Sequence, residues 1–370
     1  MVHATPPFRS DQVGSLLRSK TLAEARAKRA RNAITVDELR AIEDEEVRQL
    51  VKKQEDVGLE AITDGEYRRS WWHFDFLGLL NGVEIYEPDE GIKFRGVTSP
   101  ERALRIVDKV DFADHPFIEH FKFLKAATKR TPKMTIPSPS VLHFRSTRRD
   151  ISSTVYPDLD AFFDDVAKAY RKAIKAFYDA GCRYLQLDDT VWAYLCSEKE
   201  RAATHERGWD NVDELPGIYA RVTNYALAEK PADMVVTTHV CRGNFRSSWI
   251  AEGGYEPVAE VLLGEVNYDG YFLEYDSDRA GGFEPLRFVP KGRKRVVLGL
   301  VTSKSGALEK KDDIKRRIDE ATKYVALDQC CLSPQCGFAS TEEGNMLSEE
   351  EQWKKLAMVV EIARETWGET

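Results

Sequence analysis

Short apolar runs rich in β-branched and aromatic residues recur along the chain, and segments of helical periodicity separate most of them. Capping-box spacings, Thr35 with Glu38 and Ser348 with Glu351, mark the starts of the first and last long helices, and Gly58 marks the end of the first. The helical segments are 36–57, 159–180, 212–229, 257–263, 311–326 and 348–366. The strand-like runs are 12–15, 59–63, 133–137, 184–188, 234–239, 270–274, 296–301 and 329–332.

Eight strands joined by helical crossovers predict an α/β fold, a single (β/α)8 TIM barrel that occupies 1–370 as one catalytic domain. The strands are almost continuously apolar, as expected for a parallel sheet covered on both faces. A doubly wound open sheet is the competing architecture. The stretch 81–130 is too long for a plain crossover, and its Gly, Pro and alternating Val/Ile content predicts a hairpin-containing insertion after the second strand.

Composition excludes several classes of protein. The 54 Lys and Arg against 62 Asp and Glu give a net charge of −8, which disfavours a nucleic-acid or acidic-membrane partner. No apolar run approaches the roughly 20 residues of a transmembrane helix, and the N-terminus lacks a secretory signal pattern, so we expect a cytoplasmic protein. Six cysteines are too few for a disulfide scaffold, and in a reducing compartment they are buried, metal-bound or catalytic.

Potential metal ligands follow three of the predicted strands. His239 and Cys241 are two residues apart at the end of the fifth strand, so their side chains point to the same side. Glu274 ends the sixth strand, and Cys336 follows the eighth. In a parallel barrel these ends meet at one face, and one His, two Cys and one carboxylate are a plausible tetrahedral zinc set. Taken alone, the His-x-Cys pair more often marks a core histidine beside a buried thiol, and the residues on the two further strands are what favour a metal site.

Acidic residues also collect where strands end. Asp64-Gly65-Glu66 closes the second strand and Asp188-Asp189 closes the fourth. Acids before a helix can simply cap its free N–H groups, and for Glu66 and Asp188 position alone does not separate capping from function. After Glu66 the chain is unusually aromatic for a loop, which suits either packing or the stacking of a planar ligand; these residues are Trp71, Trp72, His73, Phe74 and Phe76.

Together these motifs resemble the cobalamin-independent methionine synthase family, specifically its C-terminal catalytic barrel. The resemblance implies that His239, Cys241, Glu274 and Cys336 bind zinc and that Ser15, Glu66 and Asp188 hold the amino acid part of homocysteine. The ordered motifs that carry it are Val13-Gly14-Ser15, Asp64-Gly65-Glu66, Gln186-Leu187-Asp188-Asp189, His239-Val240-Cys241 with Asn244-Phe245, Glu274, and Ser333-Pro334-Gln335-Cys336-Gly337.

One stretch departs from the family pattern. After the seventh strand the family has Asp-x-His-Ser, whose histidine is regarded as the proton donor, whereas this chain has Thr302-Ser303-Lys304-Ser305. An ordinary lysine, with a pKa of about 10.4, releases a proton poorly at neutral pH. Lys304 and His143 are therefore the two candidate acids, and a donor whose methyl is already activated, such as a sulfonium or a corrinoid, would need neither.

The leading hypothesis is a zinc-dependent S-methyltransferase of methionine biosynthesis, with homocysteine or a similar small thiol as acceptor and a separate methyl donor. The alternative is a zinc-dependent alkyltransferase acting on a non-amino-acid thiol such as coenzyme M, although a sulfonate would favour basic residues where Glu66 and Asp188 stand. A third hypothesis is a metal-storage barrel without thiol chemistry. The sequence indicates neither the donor nor the oligomeric state.

Overall fold

A computed structural model describes residues 5–100, 102–209 and 211–368. Its strands are β1 (Ala61–Ile62), β2 (Asn81–Tyr86), β3 (Lys93–Phe94), β4 (Val97–Thr98), β5 (Ala103–Asp111), β6 (Thr131–Pro137), β7 (Tyr184–Asp189), β8 (Val235–Val240), β9 (Gly270–Glu274), β10 (Arg295–Val301) and β11 (Cys330–Pro334).

The helices flank these strands along the chain. They are α1 (Lys20–Ala30), α2 (Val36–Val57), α3 (Phe74–Leu77), α4 (Phe117–Ala127), α5 (Pro139–Phe144), α6 (Leu159–Asp179), α7 (Val191–Leu195), α8 (Glu198–Glu206), α9 (Leu215–Leu227), α10 (Glu256–Ala259), α11 (Lys311–Ala321) and α12 (Glu349–Trp367). A π-helical turn, Glu260–Glu265, continues α10, and 3-10 turns lie at Arg148–Asp150, Asp278–Ala280, Glu284–Phe288 and Leu327–Gln329. Within the described ranges, no helix is long and apolar enough to cross a membrane.

Seven strands form one curled parallel sheet in the order β1-β6-β7-β8-β9-β10-β11, consistent with a TIM-like barrel. Every residue of β7, β9 and β11 is buried, as expected for strands covered on both faces. The register places Asp188 of β7 opposite His239 of β8, and Gly299 of β10 opposite both Glu274 of β9 and Ser333 of β11. The carboxyl ends of these strands therefore lie together.

The predicted first strand, 12–15, is not a strand in the structure. Only Ser10 forms a bridge, to Leu332 of β11, and the backbone of Gly14 has φ +146°, outside the range of a regular strand. This segment instead contacts both edge strands of the sheet: Asp11 N–H donates to Leu332 O at 3.0 Å, and Thr63 Oγ1 donates to Gly14 O at 2.7 Å. Isolated backbone and side-chain bonds thus replace the regular ladder that the apolar pattern predicted.

The segment 81–130 contains two antiparallel pairs and one helix. β2 pairs with β5, β3 pairs with β4 in a short hairpin, and α4 buries Phe117, Phe121 and Leu124 before the chain enters β6.

Both predicted capping boxes are present. The Thr35 side chain accepts from Glu38 N–H at the start of α2, and Ser348 accepts from Glu351 N–H at the start of α12. Gly58 ends α2 in the left-handed conformation.

Candidate metal centre and active site

Four side chains from three strand ends converge on one point. His239 lies in β8 and Cys241 directly after it, Glu274 ends β9, and Cys336 follows β11 by two residues. One ligand atom from each of the four lies within 4.8 Å of the others, and all four residues are buried. The Sγ atoms of Cys241 and Cys336 are 3.5 Å apart. The residues predicted to bind a metal are therefore brought together.

The local backbone fixes the two thiols. Cys241 N–H donates to Asp189 O at 2.7 Å, which extends the pairing of β7 and β8 to the thiol position. Gly243 N–H then donates to Cys241 Sγ at 3.3 Å. A sulfur that accepts a backbone N–H is favoured as a thiolate. The hydrogen bond between the two thiols lowers the pKa of Cys336 well below its ordinary value and raises that of Cys241 well above it, so in the absence of a metal the thiolate is at Cys336.

Glu274 is held as a carboxylate by its neighbours. Its Oε1 accepts from Arg242 N–H at 2.9 Å, and its Oε2 accepts from Arg279 Nη2 at 3.2 Å. Burial alone would raise the pKa of Glu274, but the charges of Lys304 and Arg279 hold it below its ordinary value. The side chain is thus charged and oriented toward the thiols at neutral pH.

The donor set is suited to a metal ion. Both ring nitrogens of His239 are buried, and neither has a hydrogen-bond partner in the part of the chain that the structure describes. Buried polar atoms without a partner are costly, and a metal ion would satisfy one of these nitrogens. A histidine nitrogen, two thiolates and a carboxylate oxygen form a set that zinc accepts, whereas magnesium and calcium prefer oxygen ligands alone.

The acidic residues at the strand ends divide between two roles. Asp64 Oδ1 accepts Glu66 N–H at 2.9 Å, and Asp189 Oδ1 accepts Val191 N–H at 2.6 Å, so each fixes the turn that follows its strand. Glu66 and Asp188 instead line a cavity next to the metal ligands. The capping interpretation therefore holds for Asp64 and Asp189.

Glu66 is placed with some backbone strain. Its φ is +61°, a conformation that non-glycine residues rarely adopt and that is enriched at functional sites. Its Oε1 accepts from Thr135 Oγ1 at 2.9 Å and lies 3.3 Å from Arg69 Nη1, whereas Oε2 is buried without a partner among the described residues. Burial raises the pKa of Glu66, and the charges of Arg69 and Arg18 oppose that rise.

Asp188 lies across the same cavity. Its Oδ1 accepts from Gln186 Nε2 at 2.7 Å. Burial raises the pKa of Asp188 to about 7, despite the opposing charge of His239. A buried carboxylate is stabilised by a cationic ligand, because the positive charge of the ligand offsets the cost of removing the carboxylate from water.

Ser15 reaches the cavity because the chain passes very close to Gly337. A Cβ atom at position 337 would lie 1.9 Å from Ser15 Oγ, so only glycine fits there. Phe338 N–H donates to Ser15 O at 2.9 Å, and Ala339 N–H donates to Ser15 Oγ at 3.4 Å. These contacts tie Ser15 to the loop that carries Cys336.

An aromatic wall completes the cavity. Trp71, Trp72 and His73 line it, whereas Phe74 and Phe76 of the same cluster pack in the core. The short β3–β4 hairpin contributes Ile92 and Phe94. The cavity is also lined by residues that the sequence did not identify as part of a site, because nothing in their spacing distinguishes them. They include Arg145, Thr190, Ser340 and Thr341.

The hairpin is anchored to the loop that follows β8. Phe94 contacts Phe245 with ring centroids 5.2 Å apart, and Arg95 N–H donates to Trp249 O at 3.0 Å. Ser248 Oγ donates to Arg95 O at 2.6 Å. The hairpin therefore forms part of the cavity wall beside the metal ligands.

The two candidate acids occupy different places. Lys304 Nζ donates to Gly243 O at 3.2 Å, Asn244 Oδ1 at 3.1 Å and Ser248 O at 3.2 Å, so its three donors hold the loop after β8. His143 lies in α5, where its Nδ1 is 2.7 Å from Tyr219 Oη and its ring is 3.9 Å from that of Trp209. It lines a separate cavity, so the structure does not bring His143 to the metal ligands.

The fold and the four-ligand cluster define an α/β protein with a curled parallel sheet, consistent with a TIM-like barrel, and a candidate thiolate-rich metal site at the carboxyl ends of its strands. The chain belongs to the cobalamin-independent synthase family, whose catalytic domain matches residues 8–365.

Close relatives span nearly the whole chain. Two uncharacterized proteins of Bacillus subtilis (strain 168), YxjH and YxjG, are 52% and 54% identical to it, each over 98% of this chain and 95% of their own length. A methionine synthase of Pyrococcus abyssi (strain GE5 / Orsay) is 23% identical over 85% of this chain and 80% of its own.

Solved structures agree with the family. A Listeria monocytogenes protein, provisionally assigned as a vitamin B12-independent methionine synthase, matches with a TM-score of 0.81 and 46% identity over 99% of both chains. A B12-independent methionine synthase from Shewanella sp. W3-18-1, solved in complex with selenomethionine, matches with a TM-score of 0.72 over 96% of both chains; at 20% identity it supports the fold alone.

Proposed function

We propose that this protein is a zinc-dependent methyltransferase that moves a methyl group onto the thiol of homocysteine or a similar small amino-acid thiol. The observation that carries the proposal is the arrangement of His239, Cys241, Glu274 and Cys336 around one point of a cavity that also exposes Glu66 and Asp188. Membership of the cobalamin-independent synthase family supports the same reaction class.

The two acids suit an amino acid with a free ammonium group. Glu66 Oε2 is buried and unpartnered within the described ranges, and Asp188 is a second buried carboxyl on the same cavity. An ammonium that met both would gain charge-assisted hydrogen bonds. Ser15, fixed against Gly337, supplies a hydroxyl for the substrate carboxylate. A sulfonate thiol without an ammonium would leave Glu66 Oε2 buried without a partner, which disfavours that alternative substrate.

The chain prepares the site for an in-line transfer. Arg242 N–H and Arg279 fix Glu274, and Gly243 N–H and Asp189 O fix Cys241, so the ligands are positioned before substrate arrives. Bound zinc would supply the acidity that keeps the substrate thiol deprotonated near neutral pH. The substrate sulfur would then form a bond to the methyl carbon. The bond between that carbon and the donor would break, and its electron pair would stay with the donor.

The apolar residues of the cavity wall would keep water away from this reaction. Phe94 and the tryptophans form apolar walls beside the ligands, so that a thiolate and a methyl donor would meet away from bulk solvent. The site is thus built for a reaction between a sulfur nucleophile and an electrophilic carbon.

Metal analysis combined with a thioether assay tests the proposal. We expect one zinc per chain and formation of methionine from homocysteine with at least one methyl donor among methyltetrahydrofolate, a methylsulfonium compound and a methyl corrinoid. Zinc binding without thioether formation from homocysteine and any of these donors would instead support a metal-storage protein.

A further inference from the structure

A guanidinium group faces the cavity without a carboxylate to balance it. Arg145 follows α5, and its Nη2 donates to Tyr194 Oη at 3.1 Å and to Thr190 Oγ1 at 3.4 Å, both neutral acceptors. In the described ranges no carboxylate oxygen lies within 4.0 Å of it, and its Nε is buried without a partner. The Nε and Nη1 atoms of Arg145 therefore have no hydrogen-bond partner in the described chain.

Two basic side chains lie near Arg145. Burial lowers the pKa of His73 well below its ordinary value, and the charge of Arg145 lowers it further. Arg207 is also near: burial first, and then the charge of Arg145, lowers its pKa. Burial keeps His73 uncharged, so the guanidinium of Arg145 is the positive group that an anion would meet on this side of the cavity.

That anion is separate from the amino acid subsite. The cations that act most strongly on Glu66 are Arg69 and Arg18, and those acting on Asp188 are His239 and Arg69. Arg145 instead contacts Thr190 and Tyr194 and acts on His73, beside the tryptophans. The amino acid carboxylate is only one carbon away from its ammonium, so it belongs near the two acids and Ser15.

We propose that Arg145 determines specificity for the methyl donor by binding an anionic group, a carboxylate or a phosphate, that the donor carries. The inference rests on the proposed function, since it assumes that a second substrate enters beside the thiol. A planar guanidinium binds carboxylate or phosphate oxygens through two parallel N–H bonds, which orients the donor as well as holding it. The aromatic wall then packs on the remainder of the donor.

Equilibrium binding to the zinc-loaded protein tests the inference. The probes are dimethylsulfoniopropionate, which carries a carboxylate, trimethylsulfonium, which does not, inorganic phosphate, and L-methionine. We expect the wild-type protein to bind one of the two anionic probes at least tenfold more tightly than trimethylsulfonium. Arg145→Met should weaken that binding by about 10- to 150-fold, the range for a charge-assisted hydrogen bond, and change L-methionine binding less than twofold.

Two further variants keep the result interpretable. Arg145→Lys keeps the charge but loses the planar fork, so its affinity should fall between those of the wild type and Arg145→Met. Arg105→Met removes an exposed arginine of β5 outside the cavity and should change nothing. A thermal midpoint for each variant shows whether it is folded.

Two results would overturn the inference. One is equal affinity of the wild type for the two sulfonium probes together with no phosphate binding. The other is a loss of L-methionine affinity in Arg145→Met as large as the loss for the anion, which would place Arg145 in the amino acid subsite. Failure of the wild type to bind zinc or L-methionine would count against the proposed function, and the anion comparison would still be readable.

Discussion

Cys241 and Cys336 place their sulfur atoms 3.5 Å apart although 95 residues separate them in the chain. Cys241 directly follows β8 and Cys336 follows β11, with β9 and β10 between them in the sheet. The curl of the sheet therefore brings the two thiols together, and a shared metal ion would link strands that do not pair with each other.

Replacing either thiol ligand should remove the metal. We expect Cys241→Ser and Cys336→Ser to fall well below one zinc per chain and to unfold at lower temperature, because the metal no longer ties the strand ends. Cys182→Ala is the control, since Cys182 is a buried thiol far from the ligand cluster in the sheet, and its Sγ donates to Tyr184 O at 3.3 Å. Full zinc stoichiometry in both serine variants would show that other residues bind the metal.

Glu66→Gln should weaken substrate binding without affecting the metal. The loss of a charge-assisted hydrogen bond, about 1.5 to 3 kcal/mol, corresponds to roughly 10- to 150-fold weaker homocysteine binding. Asp188→Asn should act in the same direction. Titration calorimetry and zinc analysis on the same samples measure both quantities. Glu43→Gln is a control, because Glu43 pairs with Arg26 and Arg68 instead of lining the cavity. Unchanged affinity in both site variants would return Glu66 and Asp188 to a structural role.

The methyl donor should be one that needs no strong acid. Transfer from methyltetrahydrofolate requires protonation of the leaving nitrogen, whereas a sulfonium or corrinoid methyl leaves without it. His143 lies in a separate cavity. We expect slow or no turnover with methyltetrahydrofolate and faster turnover with an activated donor, measured as methionine formed from homocysteine. Rapid turnover with the folate would contradict this expectation.

Lys304→Met distinguishes a proton donor from a residue that positions the loop. Because its ammonium holds Gly243, Asn244 and Ser248, we expect a loss of roughly tenfold or more in kcat with every donor and an unchanged shape of the pH–rate profile. Lys304→Arg should recover part of the activity. A loss confined to methyltetrahydrofolate, with a shifted profile, would identify Lys304 as the acid.

Stability should fall on acidification in part because of His143. Burial lowers the pKa of His143 to about 3, with Arg207 contributing, so the folded state keeps it neutral while the unfolded chain protonates near pH 6.5. Its contribution is present above about pH 6.5 and is lost as pH falls toward 3, by up to about 1.4 kcal/mol per pH unit. Urea unfolding between pH 4 and 7 should show a shallower slope for His143→Gln. An identical slope would mean that His143 does not contribute.

Much of the architecture follows from local pattern. Thr35, Glu38 and Gly58 define α2 through capping chemistry that acts over a few residues. The prediction of a strand at 12–15 is wrong, because this segment makes isolated bonds to distant groups, such as the Thr63 hydroxyl and Phe338 N–H, and a hydrophobic pattern carries no information about them.

The site was predictable to a similar extent. The positions of the four metal ligands, Glu66 and Asp188 relative to strand ends place them at one face of a barrel. Which acid of each pair faces the cavity depends on turn geometry, and in the structure Asp64 and Asp189 bind backbone N–H groups instead. Arg145 and Phe94 reach the cavity through a short helix and a hairpin whose placement only the tertiary fold determines.

The candidate metal ligands all lie between positions 239 and 336, whereas Ser15, Glu66 and Asp188 come from the first 188 residues. Metal content therefore tests the ligands themselves and does not test the carboxylates and hydroxyl that would hold the amino acid. A preparation with damage near Ser15 or Glu66 could retain its zinc, pass as intact by elemental analysis and still be unable to hold the amino acid. Quality control of this protein thus needs a ligand-binding measurement beside the metal assay.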